Sequence, residues 1–81
     1  MKKTKKAAKR NIIGAHVRQA RLKCMPTVSQ DDLAGRLAAQ GINMDRTAVS
    51  RIESQDRYVM DYEAKAIARA LKVTVAWLMG E

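Results

Sequence analysis

Residues 30–53 read QDDLAGRLAAQGINMDRTAVSRIE and predict two short helices joined by a link. Ser29 and Asp32 have the spacing of a capping box, in which each side chain accepts a hydrogen bond from the backbone N–H of the other, so a helix is expected to begin after Ser29. Gly41 is a suitable residue for ending that helix, and Asp45 is a suitable N-cap for the next one. The apolar face of the first helix is predicted to consist of four residues: Leu33, Ala34, Leu37 and Ala38.

The helix that begins after Asp45 has two faces of opposite character. At about 100° per residue, its apolar side is formed by Ala48, Val49 and Ile52. Its polar side carries four side chains that can form hydrogen bonds: Arg46, Thr47, Ser50 and Arg51. This division indicates a helix that presents its polar side to a binding partner.

A further helix precedes this region and two follow it. The first covers about residues 12–24 and is ended by Pro26. Its apolar stripe is Ile13, Val17, Ala20 and Cys24. The fourth helix is expected after Asp61, with a stripe of Ala64, Ile67, Ala68 and Leu71. A last short helix is expected after Thr74, with Leu78 closing the core and Trp77 partly exposed. Since no segment alternates with a period of two, the domain is predicted to be all-α.

Composition limits the classes of protein to consider. The chain has 81 residues, enough for one small domain. Its longest apolar run is far short of the roughly 20 residues that a membrane span requires, so no membrane association is expected. The single cysteine fits a reducing compartment, which favours a cytoplasmic location. Two tyrosines, one tryptophan and no phenylalanine exclude the aromatic sheet that reads single-stranded RNA.

The net charge of +8 is concentrated at the N-terminus. Residues 1–11 carry six basic side chains and no acid, whereas the other 70 residues carry ten basic and eight acidic side chains. The sequence therefore predicts a basic, disordered arm over residues 1–11 and a nearly balanced domain over residues 12–80. Such an arm favours a polyanion as partner, although a solubilising tail would have the same composition.

The sequence offers no set of residues for catalysis. No nucleophile–base pair is present, so the protein is expected not to be an enzyme. His16 and Cys24 supply too few ligands for a metal ion, and neither a metal nor a cofactor is predicted.

Together these motifs resemble the lambda-repressor-like, Cro-type helix-turn-helix family, the xenobiotic-response-element class of regulators. The resemblance rests on five segments in the family's order, which cover about residues 12–80: residues 13–21, 30–34, 47–53, 61–73 and 75–78. It implies a compact five-helix DNA-binding domain. The link over residues 38–45 departs from the family pattern, because it is about five residues longer than the usual 3–4-residue turn.

The resemblance also implies roles for individual residues. In this fold the second helix of the motif enters the DNA major groove by its N-terminal end. The implied base-reading residues are Arg46, Thr47 and Arg51, with Ser50 beside them. The implied phosphate-binding residues are Gln30, Gln55, Arg57 and Tyr58, to which the arm adds Lys5, Lys6, Lys9 and Arg10. Arg21 and Glu53 are implied to form a structural ion pair, and Trp77 and Met79 are candidate dimer contacts.

The function expected from these residues is sequence-specific binding of double-stranded DNA by a transcriptional regulator. A repressor acting as a homodimer on a near-palindromic operator is the first interpretation. An antitoxin of a toxin–antitoxin pair is an alternative, which an apolar patch at Leu22 or Trp77 would favour. A protein-interaction module with the same fold is another alternative.

Overall fold

The computed structural model describes residues 9–81, and these residues form five α-helices without a strand. The helices are α1 (Gly14–Lys23), α2 (Gln30–Ala39), α3 (Arg46–Glu53), α4 (Asp61–Leu71) and α5 (Val75–Leu78). The prediction of an all-α, five-helix domain is confirmed. Lys5 and Lys6, which were predicted to bind phosphate, lie outside the described residues together with most of the arm.

Three of the predicted helix starts are confirmed by side-chain caps. Ser29 Oγ accepts from the Asp32 N–H at 2.9 Å, and Asp32 Oδ2 accepts from the Ser29 N–H at 3.0 Å. The bond from that Ser29 N–H lowers the pKa of the Asp32 carboxyl. Asp45 Oδ1 accepts from the backbone of α3 and Thr74 Oγ1 from that of α5, both at 2.9 Å.

The predicted start of α4 was wrong by one residue. Asp61 is the first residue of α4, and Met60 is its N-cap. Glu63, three residues after Met60, accepts the free Met60 N–H at 2.9 Å. This bond fixes the start of α4 at Asp61, although aspartate is one of the residues preferred at the N-cap itself.

The core is formed by the apolar faces of all five helices. Its largest fully buried side chains include Leu33, Leu37, Ile52, Ile67 and Leu78. Ala38 was predicted to belong to the apolar face of α2 but is exposed. The reason is that α2 buries only a narrow stripe between α3 and α4: Leu33 and Leu37 are its fully buried residues, and Ala38 follows Leu37 on the side that faces away from them.

The long link between α2 and α3 is built from ordered backbone. Gly41, with φ 82°, follows the last turn of α2, and the Ile42 N–H donates to the Leu37 carbonyl at 2.9 Å. This is the hydrogen-bond pattern of a Schellman motif. Met44, only 6% exposed, then inserts its side chain into the core. The additional residues are therefore anchored at both ends.

The Asn11 side chain forms four hydrogen bonds within the described residues. Asn11 was assigned to the arm, but its Oδ1 accepts from the Ile13 and Gly14 N–H groups at 3.1 and 2.8 Å. Its Nδ2 donates to the carbonyls of Ile52 and Arg57 at 3.1 and 2.8 Å. A single side chain thus starts α1 and binds the end of α3, which composition alone does not indicate.

Gly14 lies against the backbone at the end of α3, and its replacement is expected to destabilise the domain. A Cβ at this position would overlap the Ile52 carbonyl oxygen and lie 2.9 Å from that of Glu53. We expect Gly14→Ala to lower the free energy of unfolding by about 1–3 kcal/mol. Gly35 is the matched control, because a Cβ there meets nothing within 4 Å and alanine favours the helix by about 0.5–1 kcal/mol. Urea unfolding followed by circular dichroism measures both, and equal effects would contradict the close approach.

Candidate nucleic-acid interface

The polar side of α3 is turned to solvent because its apolar side is held in the core. Val49 and Ile52 are each 1% exposed. The four residues predicted to read bases all lie on the exposed side: Arg46, Thr47, Ser50 and Arg51. An α-helix fits the major groove of B-DNA, where each base pair has its own pattern of donors and acceptors. Arginine can bind guanine O6 and N7 with two bonds, and threonine can bind a base edge.

The two arginines of this face differ in their surroundings. Arg46 forms no ion pair with another residue in 9–81. Arg51 Nε lies 3.5 Å from Asp56 Oδ2, with both side chains more than half exposed. An exposed pair of this kind contributes little stability, so Arg51 can exchange Asp56 for another acceptor.

Behind this face, a buried ion pair joins α1 to the end of α3. Arg21 Nε donates to Glu53 Oε2 at 2.7 Å, and Arg21 Nη2 donates to Glu53 Oε1 at 2.9 Å. The third contact of the guanidinium is the Val28 carbonyl at 2.9 Å, in the link between α1 and α2. The two side chains are 9% and 4% exposed. The bonds to Glu53 raise the pKa of Arg21 although burial opposes this.

Gln30 belongs to the same network. Its Nε2 donates to Glu53 Oε1 at 3.1 Å, so the start of α2 is bound to the end of α3. An amide NH₂ group carries two donors, and one of them remains for an external acceptor. The structure thus places this predicted phosphate ligand beside α3, with part of its hydrogen-bonding capacity engaged.

The loop between α3 and α4 uses two of its three predicted phosphate ligands internally. Gln55, with φ 64°, donates from Nε2 to the Asn11 carbonyl at 3.1 Å. Arg57 donates to both carboxylate oxygens of Glu63, at 3.1 and 3.3 Å. Tyr58 is 70% exposed and lies beside the guanidinium of Arg10, whose Cζ is 5.6 Å from the ring centroid.

The Arg57–Glu63 pair secures the loop to the first turn of α4. Burial opposes ionisation of Glu63, but the bonds from Arg57 and from the Met60 N–H, with the charge of Arg57, lower its pKa on balance. The Glu63 side chain is 11% exposed, which leaves little of it in contact with water. Sequence patterns missed this role for Glu63, although its spacing from Met60 is that of a capping box.

The described end of the arm lies against the same loop. The Arg10 N–H donates to the Gln55 carbonyl at 3.0 Å, and the Lys9 and Arg10 side chains are exposed. The structure therefore brings Arg10 and Tyr58 together beside the loop that follows α3, with Lys9 next to Arg10 in the chain. The sequence also missed Arg18, an exposed residue of α1 that borders an opening shared with Gln30 and Ser50.

The two candidate dimer contacts are placed differently. Trp77 is half-buried, with its ring centroid 5.0 Å from that of His16. The Nδ1 atom of His16 is 3.1 Å from the Leu78 carbonyl oxygen. Met79 is 39% exposed and borders an open groove of about 360 Å³.

Residues 9–81 contain no group of three or more histidine, cysteine or acidic side chains placed to hold a metal ion. Within the same range, no helix has the length and hydropathy needed to cross a membrane.

A family model described as helix-turn-helix matches residues 17–78, and the chain therefore belongs to that family. The family consists of DNA-binding regulators and is the lambda-repressor-like class that the sequence motifs indicated. That identification is thereby confirmed. No curated protein and no solved structure matches the chain significantly.

The buried ion pair is expected to contribute far more stability than the exposed one. Glu53→Gln leaves the buried Arg21 guanidinium without a counter-charge, which typically costs about 3–5 kcal/mol of unfolding free energy. Asp56→Asn is the matched control, because it breaks the exposed pair with Arg51 and should change stability by less than about 1 kcal/mol. Urea unfolding at pH 7 gives both values. Similar losses in the two variants would refute the role assigned to Arg21 and Glu53.

Glu63 is expected to make the stability depend on acid pH. A carboxyl whose pKa is lowered by folding stabilises the folded state above its ordinary pKa, here 4.5, and loses this contribution as the pH falls through the folded-state value. Wild type should therefore exceed Glu63→Gln in stability at pH 7, and the difference should shrink between about pH 5 and pH 3. Urea unfolding over a pH series tests this, with Glu81→Gln at the exposed chain end as control. A difference independent of pH would contradict it.

Proposed function

We propose that this regulator binds a specific double-stranded DNA operator and represses transcription by occupying it. The observation that carries the proposal is the exposed polar face of α3, where Arg46, Thr47, Ser50 and Arg51 stand together on a helix whose other side is buried. Arg46 and Arg51 are assigned to guanine edges, and Thr47 and Ser50 to neighbouring base edges.

Phosphate binding would hold α3 in the groove. Gln30 at the start of α2 and Tyr58 in the loop are assigned to backbone phosphates on the two sides of α3. Lys9 and Arg10, at the base of the arm, are assigned to the same strand as Tyr58, because the Arg10 side chain lies against the Tyr58 ring. Lys5 and Lys6 would continue these contacts along the DNA. Arg57 and Gln55 are assigned to holding the loop, since their side chains are engaged by Glu63 and Asn11.

A homodimer would allow the operator to be near-palindromic, with one half-site for each protomer. The groove beside Met79 supports this assembly. Its apolar lining includes Ile12, Val59 and Met79. In a two-fold contact the same surface of both protomers meets, so these apolar side chains would be buried against their copies or near neighbours in the partner. Met79 is the stronger contact candidate, because Trp77 is packed against His16.

An antitoxin is a second candidate, favoured by exposed apolar side chains at the end of α1. Leu22 is 43% exposed and Met25 is 94% exposed. The partner protein of an antitoxin would cover both side chains. Such a protein would bind DNA with the same face but would also co-purify with the product of a neighbouring gene.

Selection of a random DNA pool by the protein tests the proposed function. We expect one near-palindromic motif to be enriched. Arg46→Ala and Arg51→Ala should each lose about 1–3 kcal/mol of binding free energy, chiefly at particular bases. Arg69→Ala is the control, because Arg69 is an exposed cation in the last turn of α4. The loop between α3 and α4 is at the other end of that helix.

Removal of residues 1–8 should leave the enriched DNA motif unchanged and make the affinity less dependent on salt. Each phosphate contact contributes about 0.9 to the slope of log affinity against log salt concentration, so losing arm contacts should make this slope shallower.

The proposal would be refuted if no motif were enriched and the two arginine variants bound DNA as wild type does. A protein partner on the same fold would then be the function to seek.

A further inference from the structure

A shallow opening on the interface side of the domain, here named the notch, lies where α1, the start of α2 and the end of α3 meet. It has a volume of about 260 Å³ and is lined by Arg18, Gln30, Ser50, Glu53 and Ser54. Ser50 belongs to the exposed face of α3, so the notch adjoins the residues assigned to bases.

The charges around the notch leave one cation without a counter-charge. The Glu53 carboxylate accepts two bonds from Arg21 and one from Gln30, and its side chain is only 4% exposed. Its charge is therefore neutralised from within the domain. Arg18 is exposed and forms no ion pair with another residue in 9–81. The notch is thus positively charged through Arg18.

Neutral hydrogen-bond donors surround this cation. Ser50 has an exposed hydroxyl, and the Gln30 amide keeps one N–H beyond its bond to Glu53. The Ser54 hydroxyl donates to the Arg51 carbonyl at 3.2 Å, which holds this wall of the notch in place. A guanidinium with adjacent neutral donors suits a phosphate diester, whose two free oxygens share one negative charge.

We propose that Arg18 binds a backbone phosphate of the operator DNA, with the Gln30 amide and the Ser50 hydroxyl as neighbouring donors. The assignment rests on the proposed DNA-binding function and extends it to α1, which the sequence motifs did not connect with DNA. α1 would lie over the DNA backbone beside the major groove that α3 occupies. This is the side of α3 where Gln30 lies, and not the side of the loop between α3 and α4. Arg18 would thus add a charged phosphate contact on the Gln30 side, whereas Arg57 in the loop stays bound to Glu63.

The experiment is a salt titration of affinity for the operator selected by wild type. It compares wild type with Arg18→Ala, Arg18→Lys and the Arg69→Ala control, after circular dichroism has verified the fold of each. We expect Arg18→Ala to weaken binding about tenfold or more at low salt, equally for the operator and for altered operators. Its salt slope should fall by about 0.9. Arg18→Lys should keep the wild-type slope with intermediate affinity, because lysine retains the charge without the bidentate geometry.

Two results would overturn the Arg18 assignment alone. One is a wild-type salt slope and affinity in Arg18→Ala. The other is a loss confined to particular bases, which would make Arg18 a base-reading residue. Failure of wild type to select any operator would be a different outcome, because it refutes the proposed function and the assignment to Arg18 with it.

Discussion

The position of α3 depends on the buried ion pair between Arg21 and Glu53. α3 has eight residues, about two turns, and a helix of this length is not stable by itself. The Arg21 guanidinium holds its last residue against α1 and, through the Val28 carbonyl, against the link to α2. Gln30 adds the start of α2 to the same carboxylate. One charged pair thus connects α1, the link that follows it, the start of α2 and the end of α3.

A small domain also needs polar side chains where its helices and loops meet. This explains why side chains that could bind phosphate form hydrogen bonds within the protein instead. An 81-residue chain buries a limited apolar area. The loop after α3 is therefore held by Arg57 on Glu63 and by Gln55 on the Asn11 backbone. Within residues 9–81, by contrast, neither Arg18 nor Arg10 forms an ion pair.

The long link shows how the family's motif accommodates additional residues. The chain leaves α2 through a left-handed Gly41 and returns to the core at Met44. Asp45 then caps α3 directly. Because both ends of the link are bound, the added length does not separate α3 from α2, with which it packs. Val49 and Ile52 are buried in the core although the link before α3 is long.

The sequence by itself determined the helices and the face of α3, because caps and a 3.6-residue period are local properties: Ser29, Asp45 and Thr74 start helices where predicted. Only the tertiary structure decided how the polar residues are used. Asn11 donates to the carbonyls of Ile52 and Arg57 across more than 40 positions, and the role proposed for Arg18 depends on Glu53 being neutralised by Arg21. Composition and spacing do not predict such pairings, because a polar group bonds with whichever partner the packing of the helices brings within reach.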